Sequence, residues 1–111
     1  MTKDDQLDAA FSALAHPARR AILAQLAQGT ASVNALAEPF DITLPAVSKH
    51  IRVLEHAGLI SREKDAQFRL CKLETAPIQE IASWTERYRS IWEARFDTLD
   101  TLLADMKENN A

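Results

Sequence analysis

Cysteine appears once in the 111 residues, at Cys71. A single thiol excludes an internal disulfide and a cysteine-based zinc site within one chain. Glycine appears twice, at Gly29 and Gly58. Two glycines so far apart cannot write the phosphate-cradling loops of nucleotide-binding proteins. No run of about 18 apolar residues is present, so no membrane-spanning helix is expected. The opening Met-Thr-Lys-Asp-Asp is acidic and lacks the apolar centre of a signal peptide. These absences predict a cytoplasmic protein in a reducing compartment, made without processing, with no membrane partner and no cofactor.

What is present is the composition of a globular chain, 47% apolar and 26% charged. The length suits one domain over residues 1–111, with roughly 65% of the unfolded surface buried on folding. Net charge is −3, which taken whole argues against a polyanionic partner. The distribution along the chain argues otherwise. Residues 43–72 carry six basic groups (Lys49, Arg52, Arg62, Lys64, Arg69, Lys72) against Glu55, Glu63 and Asp65, and both flanking segments are net acidic. A basic middle between acidic ends lets one face meet a polyanion.

The local signals place the elements. Thr2 followed by Asp5 reads as a capping box before a helix over residues 4–15, with Leu7, Phe11 and Leu14 on one stripe. His16-Pro17 interrupts it, and proline at a first helical position starts a second helix that ends near Gly29. Ser32 and Thr43 read as N-caps. Ser32 opens a short helix carrying Val33, Leu36 and Ala37, and Thr43 opens a helix over 44–56 that buries Val47, Ile51 and Leu54 and stops at Gly58. The period then changes. Residues 59–63 and 68–73 read as two strands with Phe68, Leu70 and Leu73 inward, Arg69 and Lys72 outward, and a turn at 64–67. From Pro77 one helix is expected to about Met106, roughly 45 Å long. Its stripe holds both tryptophans and the only tyrosine, and needs a partner helix, most simply the same helix of a second copy.

Helices followed by a β-hairpin, two of them joined by a short turn over 32–56, describe a mainly α fold, a winged helix-turn-helix. Residues 4–73 form its DNA-binding core and 77–106 a dimerisation helix. With Val47, Ile51 and Leu54 inward, the helix over 44–56 turns Pro45, Lys49 and Arg52 outward and leaves Ser48 and His50 on its flanks. Such a helix sets its first turns against base edges in a major groove. Thr43 and Ser48 can hydrogen-bond bases or phosphates, Pro45 and Ala46 can lie on a thymine methyl, and Lys49 and Arg52 can reach phosphate or guanine. Arg62, Lys64 and Arg69 are expected on a wing near phosphate. Arg19 and Arg20 are open, one suited to Asp8 or Glu38 and the other to phosphate. Leu7 and Phe11, with Trp84, Tyr88, Ile91, Trp92, Leu99 and Leu102, are assigned to a dimer interface. An enzyme is not expected: Ser48 and His50 lie on opposite flanks of one helix and cannot pair as nucleophile and base. A winged helix used only for protein contacts is the alternative, but would leave Lys49 and Arg52 pointing outward without a partner.

The runs Phe11–Leu23 (FSALAHPARRAIL) and Ala46–Ile60 (AVSKHIRVLEHAGLI) resemble the ArsR-type family of bacterial transcriptional repressors over about residues 8–73. The resemblance implies a homodimer on a near-palindromic operator of double-stranded DNA, with Ser48, Lys49 and His50 near the DNA. Family members that sense metals use cysteines on the helix before the recognition helix, or histidines and acids on the C-terminal helix. This sequence has no cysteine over 32–38 and no histidine over 74–111, so no metal site of those kinds is expected. Release from DNA would then fall to a small-molecule or protein effector, or to changing protein level. Where the family often places glycine and arginine in the wing, Ala66-Gln67-Phe68-Arg69 stands here.

Overall fold

The computed structural model describes residues 2–65 and 68–109, without the side chains of Asp65, Phe68 and Asn109. The chain order is α1 (Lys3–Leu14), α2 (Pro17–Leu26), β1 (Ala31–Ser32), α3 (Val33–Ala37), α4 (Leu44–His56), β2 (Ile60–Asp65), β3 (Phe68–Leu73), α5 (Ala76–Glu86) and α6 (Arg89–Asn109). It divides into two compact units, Met1–Ile81 and Ala82–Ala111.

The ends of the helices follow from side-chain chemistry. Thr2 Oγ1 accepts from the Asp5 N–H, and an Asp5 carboxylate oxygen accepts from the Thr2 N–H, closing the expected capping box. His16 caps α2 by accepting the Ala18 N–H at Nδ1, with Pro17 in the first turn, where no amide hydrogen is missed. Ser32 Oγ and Thr43 Oγ1 accept from Ala35 and Ala46 N–H to open α3 and α4. At the far end of α4, Gly58 adopts φ +76°, the left-handed region. The Gly58 N–H then reaches Glu55 O and the Leu59 N–H reaches Leu54 O, the bond pair that closes a helix with a glycine just past its cap.

The core lies in the first unit. Ala13, Ile22, Leu36, Val47, Ile51, Leu54 and Leu59 are fully enclosed, and Leu23, Leu26, Ile60 and Cys71 complete the cluster. α4 sits at its centre, packed against α1, α2, α3 and β2. Three apolar residues at i, i+4 and i+7 give it an inward stripe, which is why it can be covered on so many sides.

The sheet has three strands in the order β1-β3-β2, all antiparallel. The hairpin was expected, but the short β1 was not. Ala31 and Ser32 pair with Cys71 and Leu70, so Ser32 serves both as strand end and as helix cap. The inward position of β3 also differs from expectation. Cys71 is buried while Leu70 is only half-covered, because the alternation along β3 sets Cys71 and Leu73 on the core side. The Ala66-Gln67 turn and the inward placing of Phe68 lie outside the described residues and side chains.

The C-terminal segment is two helices rather than one. α5 ends at Glu86 and α6 begins at Arg89. No proline or glycine causes the break. Thr85 Oγ1 donates to Ala82 O just before it, but Thr98 and Thr101 make the same kind of back-bond inside the unbroken α6, so that bond alone does not make the break. The next amides, Arg87 and Tyr88, turn to Trp84 O and Thr85 O in the tighter three-residue spacing. In the second unit α6 exposes Ile91, Trp92, Phe96, Leu99, Leu102, Leu103 and Met106.

Leu54 is fully enclosed on α4, so Leu54→Ala is expected to lower unfolding free energy by about 2–5 kcal/mol. Urea denaturation followed by circular dichroism measures it, and a loss under about 1 kcal/mol would contradict the central place given to α4.

Candidate nucleic-acid interface

The side of α4 opposite its buried stripe is open. Thr43, Pro45, Lys49 and Arg52 are exposed, and Ala46, Ser48 and His50 are half-buried on the flanks. Ile42 and Leu44, which stood in no expected site, are also exposed, at 45% and 46%. The tip of α4 therefore shows an apolar edge followed by a hydroxyl and two cations. Among the described residues neither Lys49 nor Arg52 makes an ion pair. Thr43 spends an oxygen lone pair on the Ala46 N–H, which leaves its O–H free to donate. Exposed cations of this kind can hold phosphate, and hydroxyls with small apolar groups can meet base edges.

The wing residues divide. Arg62 Nε lies 3.1 Å from a Glu55 carboxylate oxygen, joining β2 to α4. Lys72 pairs with Glu63 across the hairpin at 3.4 Å. Lys64 and Arg69 are exposed and stand opposite each other in the β2–β3 register. Two like charges directly opposed repel, and an anion between them would relieve that. Of the three wing cations expected near phosphate, Lys64 and Arg69 are thus brought together and Arg62 is drawn toward α4. Ser61 Oγ donates to Glu74 Oε1 at 2.6 Å, fastening the base of the hairpin to the segment before α5.

The carboxylate partner expected for one of Arg19 and Arg20 is not what the structure shows. Neither pairs with Asp8 or Glu38 among the described residues. Arg20 Nη1 donates to Leu14 O at 2.7 Å, and Arg19 donates through Nε to Ala13 O at 2.6 Å and through Nη2 to Ser12 O at 3.2 Å. The last carbonyls of a helix lack the usual i+4 partners; Ser12 O also takes the Ala15 N–H, and two guanidinium groups add donors to all three. The third arm of Arg19, Nη1, reaches His50 Nδ1 at 3.3 Å. The His50 ring lies against His16, with centroids 4.5 Å apart. Burial lowers the pKa of His50 below its ordinary 6.5, and the neighbouring His16, Arg19 and Lys49 lower it further. No local pattern announces this cluster, since Arg19 and His50 are 31 positions apart.

Burial raises the Cys71 pKa, opposed by Arg62 and reinforced by Glu55. A buried thiol held in its neutral form is a poor nucleophile. Among the described residues no group of three or more His, Cys, Asp or Glu side chains is gathered as a metal site would need. No helix among them is long and apolar enough to cross a membrane.

A family model described as a helix-turn-helix domain matches residues 14–63, the stretch that holds α2, α3, α4 and the start of β2. The chain is 35% identical over 74 residues to the transcriptional repressor SdpR of Bacillus subtilis (strain 168), covering 67% of this chain and 82% of that protein. A crystal structure of an ArsR family transcriptional regulator superposes with a TM-score of 0.74 at 40% identity, covering 83% of this chain and 95% of that one. An NMR structure of a homodimeric winged helix-turn-helix DNA-binding domain from Mycobacterium bovis has a TM-score of 0.61 at 23% identity, covering 77% and 84%, and shares the fold. By this identity and coverage, the chain belongs to the ArsR family of winged helix-turn-helix transcriptional regulators.

Proposed function

We propose that the chain is a homodimeric, sequence-specific DNA-binding repressor that reads a near-palindromic operator with α4. It acts in the cytoplasm, without catalysis. The observation that carries this reading is α4 itself: one side enclosed by the core, the other carrying Lys49 and Arg52 exposed and without ion pairs among the described residues. Phosphate contacts from Lys49, Arg52, Lys64 and Arg69 supply affinity and its salt dependence. Thr43, Pro45, Ala46 and Ser48 supply base contacts from the first two turns. Arg62 contributes through Glu55, by fixing the wing on α4.

The dimer in this reading forms through the exposed stripe of Tyr88, Ile91, Trp92, Leu99 and Leu102, with Trp84, at the C-terminal helices. Leu7 and Phe11 of α1 offer further apolar surface to a partner. The homodimeric winged helix-turn-helix from Mycobacterium bovis supports this assembly, as does the burial that so many large apolar groups require. The lack of cysteine in α3 and of histidine beyond His56 supports an effector other than a metal bound at the family's known positions.

Binding of the full chain to a labelled fragment from upstream of its own gene tests the function, with salt titrated and unrelated DNA in excess. Salt-dependent binding that survives the competitor is expected. Binding erased by the competitor would favour a winged helix serving protein contacts. In the same assay Lys49→Ala is expected to weaken binding by about 1–3 kcal/mol if it reads a base, or to reduce the salt slope by about 1 if it holds a phosphate. Unchanged affinity and slope would remove the recognition role from this side of α4. Ile91→Asp or Trp92→Asp is expected to yield monomers by light scattering, and a variant that stays dimeric would exclude the α6 interface.

A further inference from the structure

Arg19 spans three acceptors at once: Ala13 O, Ser12 O and His50 Nδ1. The first two belong to the last turn of α1 and the third to α4. A guanidinium has only donors. His50 Nδ1 must therefore present a lone pair, and the ring proton must sit on Nε2. His16 adds a second constraint. Its own Nδ1 accepts from the Ala18 N–H, so its ring is held by the start of α2, and the His50 ring lies against it. Nε2 of His50 has no protein partner among the described residues.

We propose that Arg19 is a positioning residue for DNA recognition: it clasps α4 to the end of α1 through His50 and fixes His50 in the tautomer that leaves an Nε2–H donor for DNA. The proposal rests on α4 being the recognition helix. It explains why a half-buried histidine occupies a flank of that helix. The ring does not contact DNA as a free side chain; its orientation and its one available donor are set from behind by Arg19. Such an arrangement keeps the donor from being lost to the other tautomer, as a hydrogen bond to the first ring nitrogen does generally.

Protonation opposes the clasp. An imidazolium has no lone pair for Arg19, and its charge would face the guanidinium of Arg19 on α2, the His16 ring at the α1–α2 junction and Lys49 on α4 itself. Those are the neighbours that lower the pKa of His50 after burial. The unfolded chain therefore binds this proton more readily than the folded one, so the clasp holds above the ordinary histidine range and opens as pH falls below it.

The test uses ring 15N NMR of the full chain and binding to DNA selected by the wild type from a random-sequence library. In the free wild type at neutral to basic pH, His50 should show an unprotonated Nδ1 and a protonated Nε2. Arg19→Lys keeps the charge but cannot span three acceptors, and His50 in it should become a tautomer mixture. This variant should bind the selected DNA about tenfold more weakly at pH 8, the order expected for a lost charge-assisted hydrogen bond. The difference should shrink to under about twofold once the pH lies below the His50 titration that the same ring 15N shifts locate, where the wild-type clasp is open. His50→Gln, whose amide oxygen can accept from Arg19 and does not titrate, should retain most of the affinity at both pH values, and His50→Leu should not. A wild-type His50 protonated on Nδ1, or an Arg19→Lys effect equal at both pH values, would overturn the proposal while leaving α4 as the recognition helix. Failure of the wild type to enrich any DNA would overturn the recognition reading and this proposal with it.

Discussion

Everything in the first unit depends on the burial of one stripe of α4. Val47, Ile51 and Leu54 are completely enclosed, and α1, α2, α3 and β2 all pack against the helix that carries them. At roughly 1.5–3 kcal/mol for each large apolar side chain, that stripe is a main contributor to a small core. The same burial dictates the opposite side. A 3.6-residue period that points Val47 and Ile51 inward must point Lys49 and Arg52 outward. Fold and recognition surface are therefore one constraint seen from two sides, and a slip of α4 by one residue would spoil both.

The fastenings around α4 are polar and come from distant parts of the chain. Thr43 closes its first turn and Gly58 its last. Arg62 on β2 holds Glu55, which ties the wing to the helix and neutralises the one acid on α4. Arg19 holds His50 on the other flank. The net charge of −3 conceals this arrangement, because the acids lie mostly before and after the basic middle. A polyanion meets the local field within about 10 Å at moderate salt rather than the sum over the chain.

Much of this was legible in the residues, and the legible part was local. The capping box at Thr2 and Asp5, Pro17 at a helix start, the N-caps Ser32 and Thr43, and Gly58 at a helix end all act within a few positions, so spacing alone exposes them. The α4 stripe was legible for the same reason. What stayed hidden was long-range. β1 exists only because Ala31 and Ser32 meet Cys71 and Leu70, and two residues carry no strand pattern. Cys71 faces the core instead of Leu70 because the pairing with β1 and β2 sets the register. The sequence suggests Asp8 or Glu38 for one of Arg19 and Arg20, since carboxylates are the obvious partners for a guanidinium. The end of α1 supplies acceptors to both arginines, and a histidine from another helix supplies the third for Arg19. The break between α5 and α6 escaped because the apolar spacing continues across residues 87 and 88.

The most direct check on the account is amide chemical-shift mapping of the full-length, 15N-labelled chain during titration with DNA selected from a random library. If the buried stripe of α4 fixes the recognition surface behind it, the amides from Thr43 to Arg52 shift first and most, with Lys64 and Arg69 following. Shifts concentrated in α6, with α4 silent, would contradict the account, because the face that the core leaves open would then not be the face that meets DNA.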